Sequence, residues 1–264
     1  MRSKIAFAGA ALACLSAAPA LAGSVSFVSA TGDDTRNCAT PATACRTFQR
    51  AHDATSPHGE IIALTPGDYG LLRITKSISV TGVEGVGIFG GAGSSDQIKI
   101  AAGASDVVYL TGLTLEGAGA GAGIVVDSAA AVTIRKCAVS NIASSRFYGI
   151  FMGGFDRTLI EDTSVSNGND NIAMFGGRAL VHRVISTNAK DVAIVSRGAL
   201  TIAETSASGS SDGISRSAPI FMTRSAVTGN RFSGVLGDVT SAGDNLIRGN
   251  GTDVSGTVTN IGRQ

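Results

Sequence analysis

The sequence predicts an all-β solenoid, a right-handed parallel β-helix with a short N-terminal capping helix. Two observations carry the prediction. The first is a repeat. Asp170, Asp191 and Asp212 lie 21 residues apart, each opening a polar turn followed by an apolar alternating run, and Ser233 continues the series. Asn141, Asn167, Asn188, Asn230 and Asn250 keep nearly the same beat. A fixed period of about 20–26 residues marks one structural unit stacked on the next. The second is composition. The chain has 35 Gly, no Trp and 5% aromatic residues, with Val, Ile, Thr and Ser abundant. Such a chain favours short strands and tight turns over helices.

Residues 1–22 read as a secretory signal peptide. Arg2 and Lys4 precede an apolar run from Ile5 to Ala18, and Ala20-Leu21-Ala22 is a small-x-small cleavage site that leaves Gly23 first. Cys14 offers a lipid-anchored alternative, which Ala11 disfavours because such signals carry Leu there. No other segment is long and apolar enough to span a bilayer. The expected compartment is therefore periplasmic or extracellular. Residues 23–264 read as one domain, with 23–58 forming an N-terminal strand and cap. Of the 21 Lys and Arg residues, Arg2 and Lys4 fall in the leader, and the rest nearly balance the 20 Asp and Glu. That balance leaves no footprint for nucleic acid or anionic membrane.

Cys38 and Cys45 sit close together in a turn-rich stretch of an exported chain, which predicts a disulfide. A metal pair is the competing reading, but no further ligand follows at zinc spacing. Thr47 to Thr55 carries Phe48, Ala51 and His52 at helical spacing and predicts the helix that covers the first coil. Ile78 and Val80 align with Leu113 and Leu115 at a spacing of 35. The Gly-rich stretch from Val83 to Ser105 is expected as a long loop with a strand near Ile98 to Ile100. It lacks the Lys-Ser/Thr and the following helix of a nucleotide-binding loop, and no cofactor is expected.

The later coils are clearer. Ile124-Val125-Val126, Val132-Thr133-Ile134 and Cys137-Ala138-Val139 read as three short strands closing at Asn141. Leu110, Leu113 and Leu115 precede them at a spacing of 24. Three strands per coil is the count of a parallel β-helix. Neither a leucine-rich motif nor a six-residue beat appears. Alternation turns Ile134, Ile160, Val181 and Ile202 inward as one ladder, with Cys137 as a small core residue. The coil from Asp238 to Gly262 is more polar and is expected to be irregular.

The N-terminal region carries a resemblance. Phe27-Val28-Ser29, Gly32-Asp33-Asp34, the run Cys45 to Ala51, and Gly59 to Gly70 followed by Lys76-Ser77-Ile78 resemble the opening of bacterial exported β-helix proteins of the pectin-lyase-like superfamily. The resemblance implies the fold. Some members are polysaccharide lyases or hydrolases and many have no assigned activity, so it does not imply a function. Family catalytic patterns are incomplete here. The clustered Asp residues of such hydrolases are approached only by Asn169-Asp170 and their Arg-Ile-Lys only by Arg73-Ile74-Thr75-Lys76, with no Gly-His-Asp. Arg216 near Pro219 is a poor echo of a lyase base.

Three outward faces follow from the repeat: Val125, Phe151, Ala173 and Ala193; then Thr133, Leu159, Leu180, Thr201 and Phe221; then Ala138, Ser164, Ile185, Ser206 and Ala226. None offers the opposed carboxylates of glycoside cleavage. The Asp170, Asp191, Asp212 ladder reads as turn caps accepting backbone N–H groups; a calcium column would want six or more oxygens. Lys136, Asp162, Arg183, Glu204 and Arg224 alternate in sign along the coils, as a solvated ion-pair ladder does. Within it Arg183 and Arg224 are the candidate contacts for an acidic sugar, with His182 beside them. His52 and His58 lie near the cap without a visible partner.

The expectation is an exported non-catalytic β-helix that contacts a polysaccharide or cell-surface glycan. The alternatives are a polysaccharide-active lyase or hydrolase with an unrecognised site, and a structural protein forming a homo-oligomer through Leu159, Leu180 and Phe221. Three or more carboxylates converging on one groove would favour the enzyme.

Overall fold

The computed structural model describes residues 24–89, 96–117, 121–142, 148–217 and 220–262. The signal segment and its cleavage site lie outside the described residues. Each strand pairs in parallel with its equivalent one coil earlier and one coil later. A typical coil runs Tyr148–Met152, Phe155–Glu161 and Ser164–Ser166, and these strands belong to the first, second and third of three parallel sheets. The strand Ile124–Arg135 passes from the first sheet into the second without a break. The next three coils turn that corner on glycine. Gly177 has φ +54 and a Cβ there would lie 2.5 Å from the Phe155 carbonyl oxygen, so no side chain fits.

The core is the inward column of each sheet. Leu110, Ile134, Ile160, Val181, Ile202 and Met222 stack in register on the second sheet and are fully buried, as the alternation predicts. Between the second and third sheets the chain turns through one left-handed residue per coil. Lys136, Asp162, Arg183, Glu204 and Arg224 hold φ of 44–51° there. The next residue is buried and is Cys137, Thr163, Val184, Thr205 or Ser225. Its hydroxyl, where present, satisfies the turn: Thr205 Oγ1 donates to the Ala203 carbonyl at 2.9 Å and accepts the Val184 N–H at 3.3 Å. Cys137 belongs to this ladder and not to a strand. Burial pushes its thiol up to about 11, which keeps it unreactive.

The N-terminus is tied down. The helix Phe48–Ala54 has Thr47 as N-cap, and its Oγ1 accepts the Arg50 N–H. Asp34 accepts the N–H groups of Arg46 and Thr47 at 2.7 and 2.9 Å. Cys38 and Cys45 form a disulfide with Cα atoms 5.0 Å apart. Phe48 packs on buried Tyr69 at 5.0 Å, so the familiar opening residues build the cap. His52 is not partnerless: it is buried, lies 3.1 Å from Asp53 and accepts the Thr75 N–H through Nε2.

Several expectations need correction. Ile78 and Val80 pair with Val108 and Leu110, at a spacing of 30, not with Leu113 and Leu115. The Gly-rich stretch holds two strands, Val86–Phe89 and Ile98–Ala101, because Gly87 lies against the Thr114 backbone where a Cβ would clash. Residues 90–95 of that stretch lie outside the described residues. Val195, not Ala193, pairs with Ala173 in the first sheet. The final coil is regular, with Leu246–Arg248, Thr252–Ser255 and Val258–Asn260 in register with the coil before. No helix among the described residues is long and apolar enough to cross a membrane.

Candidate functional site

The outward face of the second sheet carries three columns. The middle one runs Tyr109, Thr133, Leu159, Leu180, Thr201 and Phe221. On one side stand Val107, Ala131, Arg157, Arg178 and Ala199; on the other stand Thr111, Arg135, Glu161, His182 and Ala203. Side-chain size sets the relief. Ala131 and Thr133 are small and lie between Tyr109 on one coil and Arg157 and Leu159 on the next. The result is a cleft of about 350 Å³ with Ala131 and Thr133 as floor, Tyr109 as one wall, and Arg157, Leu159 and Leu180 as the other. Tyr109 is 47% exposed. A second cavity, of about 840 Å³, adjoins through Arg157 and is lined by Ala130, Phe155, Asp156, Gly177 and Arg178.

Reading the repeat as faces found the middle column but missed Arg157 and Arg178. The signal was present: both lie two residues before a member of the middle column, so alternation puts them on the same face. Tyr109 was missed because its coil precedes the clear part of the repeat.

The charged rim beside this face is dense. Glu161 Oε1 lies 2.9 Å from His182 Nδ1 and 2.9 Å from Arg183 Nη2, and Oε2 lies 2.7 Å from Arg135. Arg183 clasps Asp162 with two bonds of 2.5 and 3.0 Å. Arg224 does the same to Glu204 Oε1 at 3.1 and 2.7 Å. Glu204 also approaches His182 Nε2 at 3.6 Å. The hydrogen bond from His182, helped by Arg135 and Arg183, holds the Glu161 carboxyl below the usual range. The Arg183 fork does the same to Asp162, and the Arg224 fork to Glu204. The expectation that no outward position pairs carboxylates is therefore corrected: Glu161 and Glu204 converge on His182, while Asp162 turns to Arg183. They escaped a reading by faces because Asp162 and Glu204 stand on the turn and Glu161 on the sheet. Each is held by an arginine, so none is poised to give up a proton at neutral pH.

Arg183 and Arg224 border a trough of about 580 Å³ on the third sheet with Ile185, Ser206 and Ala226. Their forks are turned to the acids of neighbouring coils.

The Asp ladder is broken by register. Asp170 and Asp212 cap the next coil, Asp170 Oδ1 accepting the Val192 N–H at 3.1 Å and Asp212 Oδ1 the Ser233 N–H at 2.8 Å. Val192 pairs with Asp212, so Val192 and not Asp191 fills the middle place. The turn Asn188 to Asp191 holds one residue more than the turn Asn167 to Asn169, and this pushes the exposed Asp191 out of line. The Asn beat splits likewise. Asn141, Asn167 and Asn188 are left-handed turn residues, whereas Asn230 lies one place later, buried, with Oδ1 accepting the Ser210 N–H. Among the described residues, no three His, Cys, Asp or Glu side chains gather as a metal site.

Residues 98–256 match the family described as "Right handed beta helix region", and the chain belongs to that family. Among solved structures, the crystal structure of pectate lyase Pel9A matches with a TM-score of 0.64 at 16% identity, over 90% of this chain and 77% of that one. At that identity the likeness is one of fold. No curated protein sequence matches the chain.

Proposed function

We propose that this right-handed β-helix protein is exported and holds a polysaccharide on the outward face of its second sheet without cleaving it. The cleft between Tyr109 and Leu159 carries the reading. A concave strip with an exposed aromatic wall, apolar flanks and a few polar groups suits a sugar ring, which is apolar on its faces and polar at its edge. The neighbour of like fold is a pectate lyase, which supports a polysaccharide as the ligand class. The non-catalytic part rests on Glu161, Asp162 and Glu204, whose lowered carboxyls make poor general acids. Arg183 and Arg224, with their charge held by Asp162 and Glu204, serve in this reading as rim donors. The Cys38–Cys45 disulfide suits an oxidising compartment.

The test is affinity electrophoresis of the chain starting at Gly23 through gels loaded with a panel of neutral and acidic polysaccharides. At least one should retard the protein, and Tyr109→Ala should weaken that binding at least about tenfold, or ~1.4 kcal/mol. Retardation by none, or an indifferent Tyr109→Ala, would sink the proposal. The convergence of Glu161 and Glu204 on His182 favours one second reading, a lyase or hydrolase. Product release that disappears in Glu161→Gln would establish it.

A further inference from the structure

Arg157 and Arg178 break the rule that orders every other charge on this wall. They are direct partners on adjacent parallel strands, about 4.8 Å apart along the backbone. Both are exposed, since the intervening Thr158 and Ala179 are the buried neighbours. Like charges placed opposite each other destabilise a sheet. Where Arg73 and Lys99 meet in the same way, Lys99 is discharged onto Asp127 at 2.8 Å. On the rim, sign alternates from coil to coil. Among the described residues, neither Arg157 nor Arg178 has an ion-pair or hydrogen-bond partner. Asp156 lines the same cavity but bridges neither guanidinium. Two guanidinium forks thus face one open cavity side by side.

The column also has ends. Ala131 precedes Arg157 and Ala199 follows Arg178, so the positive charge spans two coils and stops. A strip built for a polyanion lying along the axis would continue. Two coils of charge take a single anionic group. Its shape follows from the donors. A carboxylate can serve two forks, as Glu161 serves Arg135 and Arg183, but it presents only two oxygens, in one plane, to forks that approach from two coils. A tetrahedral ester group presents three terminal oxygens and can accept from both forks. Gly177 leaves the cavity wall without a side chain at this point, which makes room for the group. We infer that the Arg157–Arg178 cavity receives one sulfate or phosphate ester carried by the glycan. This rests on the proposed glycan-binding face and goes further, because it names the substituent that face selects.

The test uses one backbone with different substituents: neutral dextran, carboxymethyl dextran, dextran sulfate and phosphorylated dextran, at matched charge density and fixed salt. The chain from Gly23 should bind the sulfated or phosphorylated polymer at least about tenfold more tightly than the carboxymethyl polymer, and the two ester arms show which group is preferred. Arg157→Gln and Arg178→Gln should each remove that preference, and Arg178→Lys should restore only part of it, because an ammonium lacks the fork. Asp156→Asn should strengthen binding of the esters. All variants should melt cooperatively. Equal binding of carboxymethyl and sulfated polymers, or a preference that survives both Gln variants, overturns this inference and leaves the glycan reading standing. Failure of every polysaccharide in the wider panel overturns both.

Discussion

Two pairs of arginines stand on adjoining parts of the same solenoid and are held in opposite ways. Arg183 and Arg224 occupy the turn ladder two coils apart, with Glu204 between them and Asp162 below. Arg157 and Arg178 occupy successive coils of a sheet with nothing between them. The first arrangement neutralises itself and stiffens the stack. The second leaves two like charges side by side and open to solvent. Composition cannot separate the two cases, since both are pairs of arginines at the repeat spacing; what differs is the residue that register sets beside each one.

The largest expected effect tests the register that both pairs share. Val181 lies inward between Leu180 and His182, and Val181→Asp would bury an unpaired charge. It should cost several kcal/mol and abolish cooperative melting. A variant that folds normally would mean the columns are misassigned. Next comes Glu161→Ala, which strips a shared partner from Arg135, His182 and Arg183. Denaturant melts should show a loss of about 1–2 kcal/mol.

The two arginine pairs should then respond with opposite sign. Arg183→Ala should lower the melting temperature slightly, as loss of an exposed ion pair does. Arg178→Ala should be neutral or stabilising by a few tenths of a kcal/mol, since it relieves a like-charge neighbour. Equal losses in both would erase the contrast.

Acid sharpens it further. Glu161, Asp162 and Glu204 have carboxyls held down in the folded chain. Such groups contribute stability that is present above their unfolded values and is lost as pH falls through the folded ones. The cost of Arg183→Ala should therefore fade as thermal melts are taken from about pH 5 towards pH 2, while the effect of Arg178→Ala persists.

The smallest effect concerns Asp170, whose carboxyl is pushed up by burial, with Asp191 adding to the shift. A raised carboxyl contributes stability below its unfolded value that is lost as pH rises through the folded one. Asp170→Asn keeps an oxygen for the Val192 N–H and removes the charge. It should raise the melting temperature slightly at pH 7 and give no gain at pH 3.

Much of the molecule was legible in advance, and particular residues show why. The cap was readable because a helix N-cap is local: Thr47, Phe48 and Ala51 lie within one turn. The inward ladder from Ile134 to Ile202 was readable because strand alternation is local too. The disulfide needed only two nearby cysteines and a compartment. The Asp ladder was misread because a beat of 21 hides coils of different length, and one extra residue in the turn before Val192 moves Asp191 out of line. The convergence on His182 was missed because its members come from a sheet and a turn on three successive coils.

The sequence by itself determined that short strands would stack in parallel, since a repeat with inward Ile and Val can bury that face only against its own neighbours. Which charges meet was decided only in the folded chain. Coils differ in length by a residue or more, and a shift of one residue exchanges every partner across the stack. Glu161 therefore finds Arg135, His182 and Arg183, while Arg157 finds only Arg178.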